Sequence, residues 1–242
     1  MNCIFTSAGN WHRTHTWTWE PLYVVFYGEG EGVFPPGARV WKRKGMKFPN
    51  LKWWWSQVEN ECEYLAVFDD DLLLGDIASL FQGARESEAD IFAPTGGATS
   101  DYKSLNPQGV GFREVEFIEM GMPIFKRAFL ERFLEVYDPQ VQDWGVDIWY
   151  SHLCQGECRM VVSDFHQIRN PPLRANGKRE VEGAEGFSLF EENWLNFSRE
   201  RGLPQRPPPS AYEAPAQHFG LLFLLPLVLV AFRLCRSRRK VL

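Results

Sequence analysis

The five residues Tyr64-Leu65-Ala66-Val67-Phe68 run without a break into Asp69-Asp70-Asp71. An apolar run this short, with no polar alternation, reads as a strand buried on both faces, the habit of a parallel sheet under helices. Three carboxylates at its carboxyl end cannot join that core. Like charges so close raise one another's pKa unless a cation joins them. Hard divalent cations such as Mg2+ and Mn2+ take carboxylate oxygens and bridge to diphosphates. Ligands of open α/β sheets lie outside the carboxyl ends of the strands. The stretch therefore points to a metal and diphosphate site. The alternative is that Asp71 caps the following helix while Asp69 and Asp70 are solvated.

The flanking sequence supplies the rest of an α/β domain, and 242 residues are enough to bury its core. Residues 1–7 read as a first strand, ending in Thr6 and Ser7 before the turn Ala8-Gly9-Asn10, a usual place for a nucleotide; an ordinary turn is the alternative. Leu22 to Tyr27 reads as a second strand, and 33–49 as a turn-rich loop whose Lys42, Arg43, Lys44 and Lys47 could hold a diphosphate or simply face solvent. Asn50 is a candidate N-cap for a helix over 51–60. Ile77, Leu80, Phe81 and Ala84 keep helical spacing over 76–86. Further strands are expected at 89–93, 114–120 and 159–163, with helices over 126–137, from an opening segment at 143–147 to about 153, and over 187–201.

Composition removes some function classes. A net charge of −5 leaves no nucleic-acid footprint. The five cysteines form no CxxC pair; Cys154 and Cys158 could be half of a zinc site, but no second pair completes it, so buried thiols or one local disulfide are expected. No secretory signal opens the chain. At the other end, 204–218 is proline-rich and reads as a linker. Residues 219–235 are apolar apart from Arg233 and reach the lower length of a bilayer span, about 17 residues. A basic tail, 236–242, follows. These features predict a main domain over 1–203 and a short single-pass C-terminal membrane segment, with a docked core helix as the alternative for 219–235; the domain would lie in an ER or Golgi lumen if the basic tail is cytoplasmic, or in the cytosol if the tail alone anchors the chain.

A strand ending in an Asp-x-Asp triad resembles the GT-A glycosyltransferases, with Asp69 and Asp71 as the outer aspartates and Asp70 between them. The run from Phe117 through Glu119 and Pro123 to Phe125, then Asp143-Trp144-Gly145-Val146-Asp147, is similar to a family of uncharacterised GT-A-like proteins. Their pattern is an aromatic-x-Glu, a Pro-x-Phe and a Trp-Gly-x-Asp, followed by an apolar strand ending near a histidine, here Val161 to His166. The likeness covers about residues 60–172.

The resemblance implies an α/β fold with a mixed, mostly parallel sheet flanked by helices. It also implies transfer of a sugar from a nucleotide-sugar donor to a hydroxyl of a glycan, lipid or protein. Asp69 and Asp71 would then hold Mn2+ or Mg2+ as a Lewis acid on the departing diphosphate, with His166 as a further ligand or else an ordinary loop histidine. Thr6, Ser7, Asp69 and Asp70 would line the donor. Asp147, at a helix start, would be the general base, its pKa lowered by the helix dipole, unless it only caps that helix; Glu119 is the competing base. Trp144 would offer a wall to a sugar face or pack in the core. A binding-only GT-A-like protein and a metal-dependent nucleotidyl or phosphoryl transferase remain the rival readings.

Overall fold

The computed structural model of the protein describes residues 1–59, 61–96, 102–168 and 189–213. Its strands are β1 (Asn2–Ala8), β2 (Leu22–Phe26), β3 (Arg39–Lys42), β4 (Tyr64–Asp69), β5 (Ile91–Gly96), β6 (Phe112–Glu114), β7 (Ile124–Lys126) and β8 (Met160–Ile168). The helices are α1 (Lys47–Gln57), α2 (Ile77–Glu86), α3 (Arg127–Val136), α4 (Val146–Cys154) and α5 (Phe190–Arg201). All eight strands join one sheet in the order β3-β2-β1-β4-β7-β5-β8-β6. β3, β2, β1 and β4 are mutually parallel, as are β5 and β8, while β7 runs antiparallel between β4 and β5 and β6 antiparallel at the edge. The mixed, mostly parallel sheet expected from the motifs is what forms.

Alternation along each buried strand sends side chains to two cores. Phe5 of β1, Leu65 and Val67 of β4 and Val162 of β8 share one with α1, α3, α4 and Trp194 of α5. Ile4, Ala66, Phe68 and Val161 share the other with α2, Trp17 and Leu72. The parity of β4 therefore turns Asp69 toward the α1 and α4 face. Beyond its pairing with β7, the end of β4 is bonded by a returning segment: Val67 N–H donates to Pro123 C=O (2.8 Å) and Asp69 N–H to Gly121 C=O (2.9 Å). Those bonds carry residues 118–121 to the mouth of the sheet.

Several boundaries differ from expectation for physical reasons. β3 lies inside the segment read as a basic loop; it is an edge strand with mostly exposed residues, so it shows no apolar pattern. The strand expected over 114–120 is reduced to β6, because 118–123 bonds to α4 and β4 instead. Asn50 does not cap α1, which begins at Lys47. Its side-chain amide donates to Ser7 Oγ (2.7 Å) and Gly45 C=O (2.8 Å). Asp76, not Asp71, caps α2 by accepting from Ser79 N–H. Cys3 pairs with Cys62, and Cys154 with Cys158, so neither pair is a zinc half-site.

The expected membrane location is corrected: among the described residues no helix is long and apolar enough to cross a bilayer. The segment 219–235 on which that expectation stood lies outside the described residues. Residues 204–213 also depart from a free linker, since Ala211 is buried in the α1–α5 core, Gln205 C=O accepts from Trp194 Nε1 (3.2 Å) and Tyr212 meets the Tyr102 ring.

Candidate active site

The carboxyl ends of β1 and β4 are adjacent, with Ser7 opposite Asp69 in register. Asp69, Asp70 and Asp71 leave the sheet there, all partly exposed. Asp69 Oδ1 accepts from Lys47 Nζ at 2.5 Å, and the same ammonium donates to Met120 C=O. Asp70 Oδ2 accepts from Gly9 N–H (2.7 Å) and its carbonyl from Arg13 N–H (2.7 Å), which fastens the loop after β1 across the aspartates. Trp11, on that loop, is 67% exposed.

Lys47 is buried because α1 starts at it, and the start is fixed from far along the chain. Both oxygens of Asp143 accept from the first turn, Oδ2 from Lys47 N–H (3.0 Å) and Oδ1 from Phe48 N–H (2.8 Å). Such a carboxylate fills the role an N-cap side chain has in its own helix. Burial pushes the Asp143 carboxyl up from its usual range; the Lys47 ammonium and the two N–H bonds oppose the rise. The turn that holds Asp143 is tight: Asp143 has φ +60° and Gly145 φ +86°. A Cβ on Gly145 would lie 2.1 Å from Cδ2 of the Trp194 ring. With Trp194 packed behind it, the turn presents Trp144 outward, 43% exposed.

α4 then places Asp147 in its first turn, buried beside residues 118–121. Tyr150 donates to Ile118 C=O (2.6 Å) and Ile118 N–H to Ser151 Oγ (3.4 Å), so Glu119 is held between two α4 anchors and Lys47. Burial, then the charge of Glu119, push the Asp147 carboxyl up to about 7; the backbone N–H groups of Ile148, Asp147 and Met120 oppose the rise. The dipole argument from sequence is thus reversed, because desolvation outweighs the helix start. A carboxyl poised near neutrality beside a second one, on the same face as Asp69, can accept or lend a proton at physiological pH.

No family model matches the sequence, and no curated protein matches it. Solved structures do. TarS residues 1–349 of S. aureus, crystallised in complex with UDP-GlcNAc, superposes with TM-score 0.54 at 14% identity, over 83% of this chain and 66% of that one. The same TarS fragment crystallised without that ligand gives TM-score 0.51 at 13% identity, over 84% and 74%. The fold is that of the GT-A glycosyltransferases. GalNAc-T7 with UDP, GalNAc and Mn2+ aligns over 93% of this chain and 53% of that one at TM-score 0.47 and 12% identity. This chain spans about two thirds of the first TarS structure.

Within the GT-A-like frame, the residues singled out by sequence are only partly brought together. Asp69, Asp70, Asp71, Glu119 and Asp147 gather at the carboxyl ends of the central strands. Thr6 and Ser7 do not offer their hydroxyls to that surface: Thr6 Oγ1 donates to Phe68 C=O (2.8 Å), and Ser7 Oγ is held by Asn50. His166 is not with the aspartates. It lies within β8 on the α2 face, with Nε2 on Ser79 Oγ (2.7 Å) and Nδ1 on Ser163 Oγ (2.8 Å). Burial holds its pKa below the usual histidine value. The predicted metal set Asp69, Asp71 and His166 therefore does not fit a resident metal. Among the described residues no group of three or more His, Cys, Asp or Glu side chains could hold one.

Sequence reasoning missed Lys47 and the long-range work of Asp143. Lys47 was visible only as one of four clustered cations, and Asp143 only as part of a motif. The hollow lined by Met1, Glu20, Tyr23 and Arg39 opens at the amino ends of the strands, away from all of these groups.

Proposed function

We propose that the chain is a glycosyltransferase that moves a sugar from a nucleoside-diphosphate donor to an acceptor hydroxyl of a glycan, lipid or protein. The observation that carries this reading is the buried Asp147 carboxyl beside the half-buried Glu119, on the same face of a GT-A-like sheet as Asp69. The donor lies across the carboxyl ends of β1 and β4, its base against the exposed ring of Trp11 and its diphosphate toward the basic segment 42–47. Arg43 reaches this mouth through Asn50 Oδ1, and Asn50 in turn holds Ser7. The acceptor sits against Trp144, with its hydroxyl directed to the carboxyl pair.

In the transfer, the acceptor oxygen attacks the anomeric carbon, the bond from that carbon to the diphosphate breaks, and the nucleoside diphosphate leaves with the bonding electrons. The hydroxyl proton passes to the Glu119–Asp147 pair, which shares it as one unit. The test is release of nucleoside diphosphate from a panel of sugar nucleotides, with and without simple glycan acceptors, by wild type and by Glu119→Gln. Turnover lost in Glu119→Gln, with the donor-induced melting shift retained, is expected. Neither turnover nor a melting shift with any donor would remove the proposal.

A further inference from the structure

We propose that Lys47 is the resident counter-ion of Asp69, so that the mouth of the sheet carries a built-in ammonium where the sequence motif suggests a divalent cation. The Lys47 side chain is 6% exposed and that of Asp69 33%. The ammonium does two things at once: it neutralises Asp69 and, through Met120 C=O, ties the donor-side aspartate to the backbone that carries Glu119. Lys47 is a positioning residue, acting through Asp69 and the 118–121 segment.

Three observations carry the inference. First, the lysine is placed by a rigid frame rather than by a mobile loop, since Asp143 holds the backbone N–H groups of Lys47 and Phe48 and Phe48 is fully buried. Second, a divalent ion ligated by Asp69 would stand within a few ångströms of the ammonium. Like charges that close repel strongly in a partly buried site. Expelling the ammonium would leave it without its carboxylate in a place where burial makes an unpaired charge costly. Third, the predicted ligand His166 is engaged elsewhere: it holds two serines on the opposite face.

The inference concerns the donor site read above, but its test involves no sugar transfer, so a failed transferase assay would not decide it. Mn2+ alone is titrated against the full chain by electron paramagnetic resonance, for wild type, Asp69→Asn, Lys47→Arg and Lys47→Met. Wild type, Lys47→Arg and Asp69→Asn are expected to show the same weak binding. Lys47→Met is expected to bind Mn2+ about tenfold more tightly or better, because the competing charge is gone, and adding Asp69→Asn should abolish the gain. Tight Mn2+ binding by wild type that Asp69→Asn removes would overturn the inference. The wild-type and Asp69→Asn comparison decides it even where Lys47→Met fails to fold.

Discussion

Replacing Asp147 by Asn should stabilise the protein at alkaline pH and not at acid pH. The carboxyl is 9% exposed and its pKa rises from 3.8 to about 7 on folding. A folded-state pKa above the unfolded one means that the folded chain binds the extra proton, so stability falls as pH rises from about 4 to about 7 and stays reduced above. Three pH units correspond to ~4 kcal/mol. For a domain of this size each kcal/mol moves Tm by about 2–4 °C, so the wild type loses on the order of 10 °C across the window through this group alone. The amide of Asn cannot ionise and keeps an oxygen for Ile148 N–H, which donates to Oδ1 at 2.9 Å. Its NH2 group, if unpaired, costs ~1–2 kcal/mol, but that penalty does not change with pH.

The measurement is therefore the difference in Tm between Asp147→Asn and wild type, followed from pH 4 to pH 9. Asp143 shifts in the same direction, but it is present in both proteins and cancels. The difference should grow in favour of the variant from about pH 4 to about pH 7 and level off above. Because the Glu119 charge is the second cause of the rise, Glu119→Gln should move the midpoint of that growth to lower pH. A Tm difference constant across the range would refute the claim that burial neutralises Asp147. If the pair is the base, turnover by wild type rises around pH 7, where the growth of the Tm difference levels off, since only the ionised form accepts a proton.

His166→Ala should lower Tm through loss of the bonds to Ser79 and Ser163 and a void under α2, on the order of 2–3 kcal/mol. Its Mn2+ binding should match wild type; a specific loss of Mn2+ affinity would restore His166 as a ligand. Gly145→Ala combines a positive φ with a clash against Trp194 and should cost about 2–4 kcal/mol, whereas Gly156→Ala, at φ +74° with open space around it, should cost only the backbone part, about 1 kcal/mol. Equal Tm losses for the two would remove the packing argument. Reduction of the Cys3–Cys62 bridge, whose partners are 59 residues apart, should lower stability by about 2–4 kcal/mol, read as a fall in Tm with dithiothreitol that Cys3→Ser/Cys62→Ser reproduces.

Much of the fold was legible because burial leaves a local signature. β4 announces itself as an unbroken apolar run that stops at an acid, and α2 as a helical stripe behind Asp76. β3 gave no such signal, because an edge strand with exposed Arg39, Val40 and Lys42 has no two-sided burial to write into its sequence. The candidate site was legible as a set of residue types and not as a set of partners. Asn50 has the chemistry of an N-cap and sits at a plausible place, yet the cap of α1 is Asp143, 96 residues from Lys47. His166 stands near the end of the last strand, as the motif asks, but within β8. Which face a strand residue occupies depends on parity, and between Pro94 and Thr95 the register of β5 and β8 shifts. The pKa of Asp147 was misjudged in sign for the same reason: the helix start is local and visible, while the burial that outweighs it comes from residues far along the chain.

The three aspartates can follow a buried strand because the chain meets their repulsion in different ways. Asp69 receives a full positive charge from Lys47, whereas Asp70 receives backbone dipole from Gly9 N–H. Charge-assisted bonds of the first kind are the stronger, and Lys47 spends its ammonium on a backbone carbonyl as well. That second bond has a mechanical consequence. A donor that displaces or polarises Asp69 pulls on Lys47, and through Met120 on the segment carrying Glu119, while Asp143 keeps the start of α1 from yielding. On the proposed function, the donor side and the carboxyl pair would therefore answer as one linked unit. A double-mutant cycle on Lys47→Met and Glu119→Gln should show coupling in donor affinity beyond 0.5 kcal/mol, the scale expected for residues in one network. Additive effects would mean that the two halves of the site answer the donor separately.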